Sequence, residues 1–206
     1  RLIAENMGGL YAFDFGPDGK LYGPLVARNR IARIDIETGA TETIVDGLSF
    51  NTAVKFNSQG QLYSNNNPGV GEILKVDIAN GSTQKIAELP FGTDNLAFDS
   101  QDRLFVSNNY EGAIYEIETS GAVRTVRAGG LVFPAGIAVM DDGNGGESVF
   151  VANSNHVSRF DGHSGEKVGV DRISTTTVAA SGDHIVSTNS LPGLVQTWDP
   201  ATGAVT

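Results

Sequence analysis

The chain holds 206 residues in 21.6 kDa, 40% hydrophobic and 18% charged, enough to close one sizeable core and too little for two ordinary domains, so a single domain over 1–206 is expected. Its 24 Asp and Glu against 14 Lys and Arg leave a net charge of −10, which repels a phosphate backbone or an anionic bilayer, so neither nucleic acid nor a membrane is expected as partner. The lack of cysteine excludes disulfides, zinc–thiolate sites, iron–sulfur clusters and thiol nucleophiles, and no apolar run reaches the roughly 18 residues of a membrane span.

The chain opens on Arg1-Leu2-Ile3-Ala4-Glu5 without a charged-then-apolar leader, which reads as a processed or trimmed product. The first hairpin runs from Phe13 to Tyr22, where Asp18-Gly19 supplies the positive φ angles of a tight turn. The pattern returns at Val54 to Tyr63 through Ser58-Gln59-Gly60, at Leu96 to Phe105 through Ser100-Gln101-Asp102, and at Ile137 to Phe150 through an enlarged turn over 141–147. It returns a fifth time at Val178 to Ile185 through Ser181-Gly182-Asp183. A third strand follows each hairpin, at 31–35, 73–77, 114–118, 157–161 and 195–199, mostly alternating apolar and charged residues. A fourth, edge-type strand comes after a glycine turn, as at 41–45 and 83–88.

Those turns end at Gly39, Gly81, Gly121, Gly165 and Gly203, spaced 42, 40, 44 and 38 residues apart. Four strands in each repeat of this length is the signature of a propeller blade, and no window shows a sustained 3.6-residue period. The fold class expected is therefore all-β, a β-propeller of four-stranded blades in five repeats. The stretch from Gly203 to Thr206 continued by Arg1 to Glu5 reads like Gly81 to Glu88, so the N-terminal strand is expected to close the last blade, removing the open sheet edges. The alternative is that the five repeats form part of a six-bladed propeller.

The phrases Thr93-Asp94-Asn95-Leu96-Ala97-Phe98, Pro134-Ala135-Gly136-Ile137-Ala138-Val139 and Asp18-Gly19-Lys20-Leu21-Tyr22 resemble blade motifs of the SMP-30, gluconolactonase and regucalcin-like propellers, within the wider NHL-type superfamily. The resemblance spans the chain. It implies a divalent cation such as calcium, held over the central channel by Glu, Asn and Asp side chains and assisting lactone or ester hydrolysis. A hard cation suits that role because it binds carboxylate and amide oxygens and polarises a carbonyl or activates water.

Counting back eleven residues from the second-strand aromatic places Tyr11, Thr52 and Asp94 at the starts of innermost strands, with Ala135 and Thr176 in the later repeats. Asp94 keeps a family-type ligand, while Ala135 replaces the expected Asp and Tyr11 the expected Glu. Asn51 flanks this ring, as does Asn95. Asn66, Asn108 and Asn153 recur at one offset after the second-strand aromatic, with Thr188 at the same place in the fifth repeat and Asn189 beside it. Such asparagines either line a polar ligand or cap turns, for which Asn is suited by its tolerance of left-handed backbone.

Arg28 and Arg30 can clamp a carboxylate or phosphate, and Tyr110, Glu111 and His156 complete the rim groups with chemistry. His156 suits a general base, since imidazole titrates near neutrality. The motifs of serine hydrolases, nucleotide loops and dinucleotide folds are absent. Trp198 takes the place of Ile34, Val76, Ile117 and Phe160 and reads as inter-blade core.

Two functions are consistent with this reading. One is a lactonase or ester-hydrolase relative that binds a small polar molecule or cation at the channel mouth. There Asp94, Asn51, Asn108 and Asn153 hold a divalent ion, and His156 and Asp94 act in catalysis. Its ligand-binding residues are Tyr11, Arg28, Arg30, Asn51, Thr52, Asn66, Asn108, Tyr110, Glu111, Asn153 and Thr176. The other is a noncatalytic binding module with a protein partner. A monomer is expected, and the family resemblance favours a secreted or periplasmic location.

Overall fold

The computed structural model describes residues 2–154, 156–171, 175–189 and 193–206. Arg1, the first residue of the expected N-terminal strand, lies outside the described residues. Two compact units divide the chain, Arg1–Asn95 and Leu96–Thr206.

The fold is all-β and of the β-propeller class. Its sheets follow one another along the chain, each a simple antiparallel meander. The first unit carries β1 (Asp14–Phe15), β2 (Leu21–Leu25), β3 (Arg30–Ile34) and β4 (Thr41–Asp46) in one sheet. Its second sheet holds β5 (Val54–Phe56), β6 (Leu62–Asn66), β7 (Gly71–Val76) and β8 (Thr83–Leu89). The third sheet comprises β9 (Thr93–Phe98), whose first residues belong to the first unit, β10 (Leu104–Asn108), β11 (Ala113–Ile117) and β12 (Val123–Arg127). The second unit continues with β13 (Pro134–Asp141), β14 (Glu147–Asn153), β15 (His156–Asp161) and β16 (Lys167–Asp171), then β17 (Thr177–Ser181), β18 (His184–Asn189) and β19 (Leu194–Trp198). Among the described residues the single helical element is a 3-10 turn at Val26–Arg28.

Beside β19 the fourth-strand place is opened by the C-terminal residues, with Trp198 paired to Val205 and Thr197 and Thr206 exchanging backbone hydrogen bonds at 2.9 and 2.8 Å. Residues 2–9 form no strand, yet the carbonyl of Ile3 closes on the Gly39 turn as that of Ile44 closes on Gly81. The N-terminal stretch thus stands to the first sheet as β4 stands to the second. In both turns φ is positive and an added Cβ would sit 2.2–2.4 Å from the neighbouring carbonyl oxygen, so only glycine fits.

Those turns explain the period read from sequence. Asp35 Oδ1 accepts the N–H groups of Glu37 and Thr38, and the Gly39 N–H returns to the Asp35 carbonyl at 2.8 Å. Asp161 and Asp199 repeat the arrangement with Gly165 and Gly203. In the first hairpin only Gly19 takes positive φ, at 73°, so the Asp18-Gly19 expectation holds for the glycine alone. Asp18 instead bonds the Lys20 N–H and the Tyr22 hydroxyl.

Alternation along the strands buries one apolar set between successive sheets. In the first unit Tyr22, Ile31, Ile44 and Val45 pack on Val54, Leu62, Leu74 and Val76. In the second, Phe105, Ile114 and Val126 meet Ile137, Val149, Val151 and Phe160, while Phe150, Ala152 and Val157 meet Val178, Ile185 and Trp198. Each such large side chain contributes about 1.5–3 kcal/mol of burial. Trp198 stands edge-on to Phe150 at 5.6 Å, which makes it the inter-sheet core residue expected of it.

Candidate functional site: the strand-end asparagines and the loops they hold

Each second strand from the second sheet onward ends in asparagine: Asn66 in β6, Asn108 in β10, Asn153 in β14 and Asn189 in β18. Their partners across the turn are Glu72, Ala113, His156 and Leu194, which makes Asn189, rather than Thr188, the fifth-repeat equivalent. The offset was misread because the fifth hairpin lacks a second-strand aromatic from which to count. The Asn189 side chain lies outside the described residues.

None of Asn66, Asn108 and Asn153 has left-handed backbone; each caps with its side chain. Asn66 Oδ1 accepts the Ser49 N–H at 2.7 Å and its amide donates to Glu72. Asn108 Oδ1 accepts the N–H groups of Tyr110 and Glu111 at 3.1 and 3.0 Å. Asn153 Oδ1 accepts the Val132 N–H at 2.6 Å. Backbone groups at loop entrances are thereby satisfied by buried amides, which is what fixes the loops.

In the first unit the sequence-derived residues fall into a buried polar network and a surface group. Asn65 Oδ1 accepts from the N–H groups of Thr52 and Ala53, while its amide donates to Thr52 Oγ1 and the Thr93 carbonyl. Thr52 Oγ1 donates to the Asp94 carbonyl at 2.6 Å. Asn67 joins the Phe50 and Thr93 carbonyls to the N–H groups of Gly92 and Thr93. Asn51, 1% exposed, donates to Ser64 Oγ and the Asn65 carbonyl, while its Oδ1 is buried without a hydrogen-bond partner. Asn65, Asn67 and Thr93 were not singled out from sequence, although the run Asn65-Asn66-Asn67 displayed two of them.

At the surface of this unit Tyr11 is 55% exposed. Arg28 donates to the Asn6 carbonyl, and Arg30 pairs with Asp46 at 3.3 Å. The two guanidiniums thus have separate partners, one on the N-terminal stretch and one on β4, and do not form one clamp.

The second unit gathers a rim from three loops. Tyr110 and Glu111 follow β10, with the Tyr115 hydroxyl donating to Glu111 Oε2 at 2.5 Å. Burial and that carboxylate push the Tyr115 hydroxyl up to about 12, so it remains a donor throughout the neutral range. The loop before β13 is tied on by the Leu131 N–H donating to the Gly112 carbonyl at 3.2 Å. The third loop begins at Asn153. Because the Val132 N–H fixes Asn153 Oδ1, the amide nitrogen faces His156 Nε2 at 3.3 Å and Ser158 Oγ at 3.2 Å. His156 Nε2 also lies 3.2 Å from Ser158 Oγ, so the imidazole belongs to the same polar cluster as the Asn153 amide. Thr176, by contrast, is exposed and bonds the Thr188 carbonyl.

The rim projects apolar groups. Tyr110 is 75% exposed, Val132 57% and Phe133 74%. Phe133 has φ +48°, a left-handed conformation that is costly for a bulky residue. In the first unit Phe50 stands at the matching place before β5, with φ +45° and 67% exposure, while Gly9 and Gly92 fill it elsewhere. Sequence reading passed over both phenylalanines. Aligning Gly9, Phe50, Gly92 and Phe133 ahead of the innermost strands would have shown aromatic residues where the backbone asks for glycine.

Two of the expected metal ligands, Asn108 and Asn153, have their amide oxygens turned to backbone N–H groups. Calcium requires converging oxygens with available lone pairs, whereas both lone pairs of Asn108 Oδ1 face N–H groups and Asn153 Oδ1 faces the Val132 N–H. Among the described residues no three His, Asp or Glu side chains group as a metal site requires.

No family model matches the chain, and no curated protein matches it. Solved structures do, in 925 chains, so the fold is widely shared. A chain of a nidogen/laminin complex superposes with a TM-score of 0.81 at 14% identity, covering 96% of this chain and 78% of that one. A calcium-binding protein, regucalcin from Agrobacterium tumefaciens, gives 0.74 at 15%, covering 97% and 73%. A gluconolactonase from Xanthomonas campestris gives 0.73 at 13%, covering 97% and 76%. At these identities the likeness shows the propeller fold alone.

Proposed function

We propose that this chain is a noncatalytic propeller module that binds a protein partner, rather than a metal-dependent lactone or ester hydrolase. The observation that carries the reading is the division of labour at the strand ends. The buried amides of Asn66, Asn108 and Asn153 are spent on backbone N–H groups, and the loops they fix carry aromatic side chains outward. His156 Nε2 lies 3.3 Å from the amide nitrogen of Asn153, the residue whose oxygen holds the Val132 N–H. Projecting aromatic groups are typical anchors of protein interfaces, whereas small-molecule sites are concave and enclose most of their ligand. The nidogen/laminin structure supplies a precedent for this fold within a protein complex.

The test is a panel of aliphatic lactones and aryl esters assayed with and without added calcium, zinc or manganese. The reading predicts no hydrolysis above the rate of a His156→Ala, Asp94→Ala double variant. Metal-dependent turnover lost in that variant would restore the hydrolase.

A further inference from the structure

The dipeptide Asn-Gly occurs at Asn80-Gly81 and again at Asn144-Gly145. It is the chemically labile setting of asparagine, because a glycine without a side chain leaves its backbone nitrogen open to approach the side-chain carbonyl carbon of the residue before it. Both asparagines are exposed. Access to water therefore does not separate them, and the hydrogen bonds around each pair decide which one reacts.

Asn80 sits in the closed turn between β7 and β8. Its amide donates to Asp77 Oδ2 at 2.7 Å and its Oδ1 accepts the Ser82 N–H at 2.8 Å, while the Gly81 N–H donates to the Asp77 carbonyl at 2.8 Å. The nitrogen that would attack and the amide it would attack are both fixed. Asn144 lies in the turn between β13 and β14. There Asp141 Oδ1 accepts the Gly143 N–H at 2.7 Å, and Asp142 Oδ1 accepts those of Asn144 and Gly146 at 2.7 and 3.0 Å. These bonds skip Gly145, whose N–H has no acceptor among the described residues. Among those residues the Asn144 side chain is held by a single long contact, from its amide to the Asp142 carbonyl at 3.4 Å. Nothing lies within 4 Å of a Cβ placed on Gly143 or Gly145, whereas one on Gly81 would meet the Ile44 carbonyl oxygen at 2.4 Å.

We propose that Asn144 is a self-modification site of the folded chain, deamidated through attack by Gly145, and that the turn around Asn80 protects the other pair. As the Gly145 amide loses its proton to water, its nitrogen bonds to Asn144 Cγ, the Cγ–Nδ2 bond breaks and ammonia leaves, closing a succinimide ring. Water then opens the ring at the Cγ–N bond to give aspartate, or at the main-chain carbonyl to give isoaspartate, which lengthens the main chain by a methylene. Water is the co-reactant, and the net change replaces a neutral amide by a carboxylate in a chain already at −10. The open surroundings of Gly143 and Gly145 leave room for either product. The site is independent of the binding-module reading.

The experiment incubates the folded native chain at neutral and at mildly alkaline pH, then maps its peptides by mass spectrometry after digestion in acid, where the ring does not form. Asn144 should convert faster than Asn80 by roughly tenfold or more, since reaction at Asn80 must first open a hydrogen-bonded turn. Its rate should rise with pH, in step with loss of the amide proton. In urea the two pairs should convert at similar rates, because both turns are gone, and the folded Asn144→Gln variant should show no comparable conversion at that position. Equal rates in the folded chain, faster conversion at Asn80, conversion at neither site, or a difference that persists in urea would overturn the proposal. So would conversion of Asn144→Gln at the native rate, since the amide would then be hydrolysed directly and not through Gly145.

Discussion

Asn67 and Asn109 hold the same place in successive sheets, one residue past the ends of β6 and β10, yet one is satisfied and the other is not. Asn67 Oδ1 accepts the N–H groups of Gly92 and Thr93 and the Thr93 hydroxyl, whereas Asn109 Oδ1 is buried with no partner. Where Thr93 opens β9, Pro134 opens β13, and proline has neither the N–H nor the hydroxyl that Thr93 gives to Asn67.

Asn67→Ala should therefore destabilise the chain by roughly 2–3 kcal/mol, because it strands buried N–H groups. Asn109→Ala should cost less than about 1 kcal/mol, since its oxygen satisfies nothing. Urea unfolding of the two variants checks this, and equal losses would show that the pairing pattern is misassigned.

Below the third and fourth sheets a buried ionic cluster sets a second expectation. Arg103 donates from Nε to Asp99 at 2.6 Å and also pairs with Glu147, while Arg124 pairs with Glu116. The three carboxyl side chains are between 1% and 8% exposed. Burial pushes Glu147 above the usual carboxylate range, only partly offset by Arg103. Arg103→Met leaves buried charge uncompensated and should cost roughly 3–5 kcal/mol, whereas Lys85→Met, which removes solvent-exposed pairs, should move the midpoint far less. Denaturant midpoints of the two variants decide it.

Tyr115 gives a dependence on alkaline pH. Its hydroxyl titrates near 10 when unfolded and is pushed up to about 12 when folded, so the folded chain holds that proton more tightly. The resulting stability is complete below pH 10 and is lost as pH rises through 12. Between those limits the native chain should lose melting temperature faster than Tyr115→Phe, in which the titration is absent. Parallel melting curves for the two proteins would refute the assignment.

The left-handed phenylalanines make a prediction about stability alone. Phe50→Gly should leave the melting temperature unchanged or raise it, because relief of backbone strain offsets the flexibility glycine adds to the unfolded chain. Phe50→Ala retains the strain and should melt lower than Phe50→Gly. The opposite order would mean that the ring contributes packing its exposure does not reveal.

The strands were legible because each repeat states its turns in residues with few alternatives. Asp35 to Gly39 and Asp161 to Gly165 mark their turns unmistakably, and alternation then assigns the inward face. Side-chain direction at the strand ends was not legible. An asparagine can aim its amide at a channel or at the N–H of a loop more than twenty residues earlier, as Asn153 does with Val132, and spacing contains no information on which it chooses. Phe133 was missed for another reason: its backbone conformation follows from its place in the repeat, while its own residue type argues against that conformation.

The central claim is that the strand-end amides serve backbone N–H groups and not a cation. Calorimetric titration of calcium into chelator-stripped protein, beside an Asp94→Ala control, tests it most directly. The account predicts no saturable heat in either protein. Stoichiometric binding by the native chain that vanishes in Asp94→Ala would contradict it.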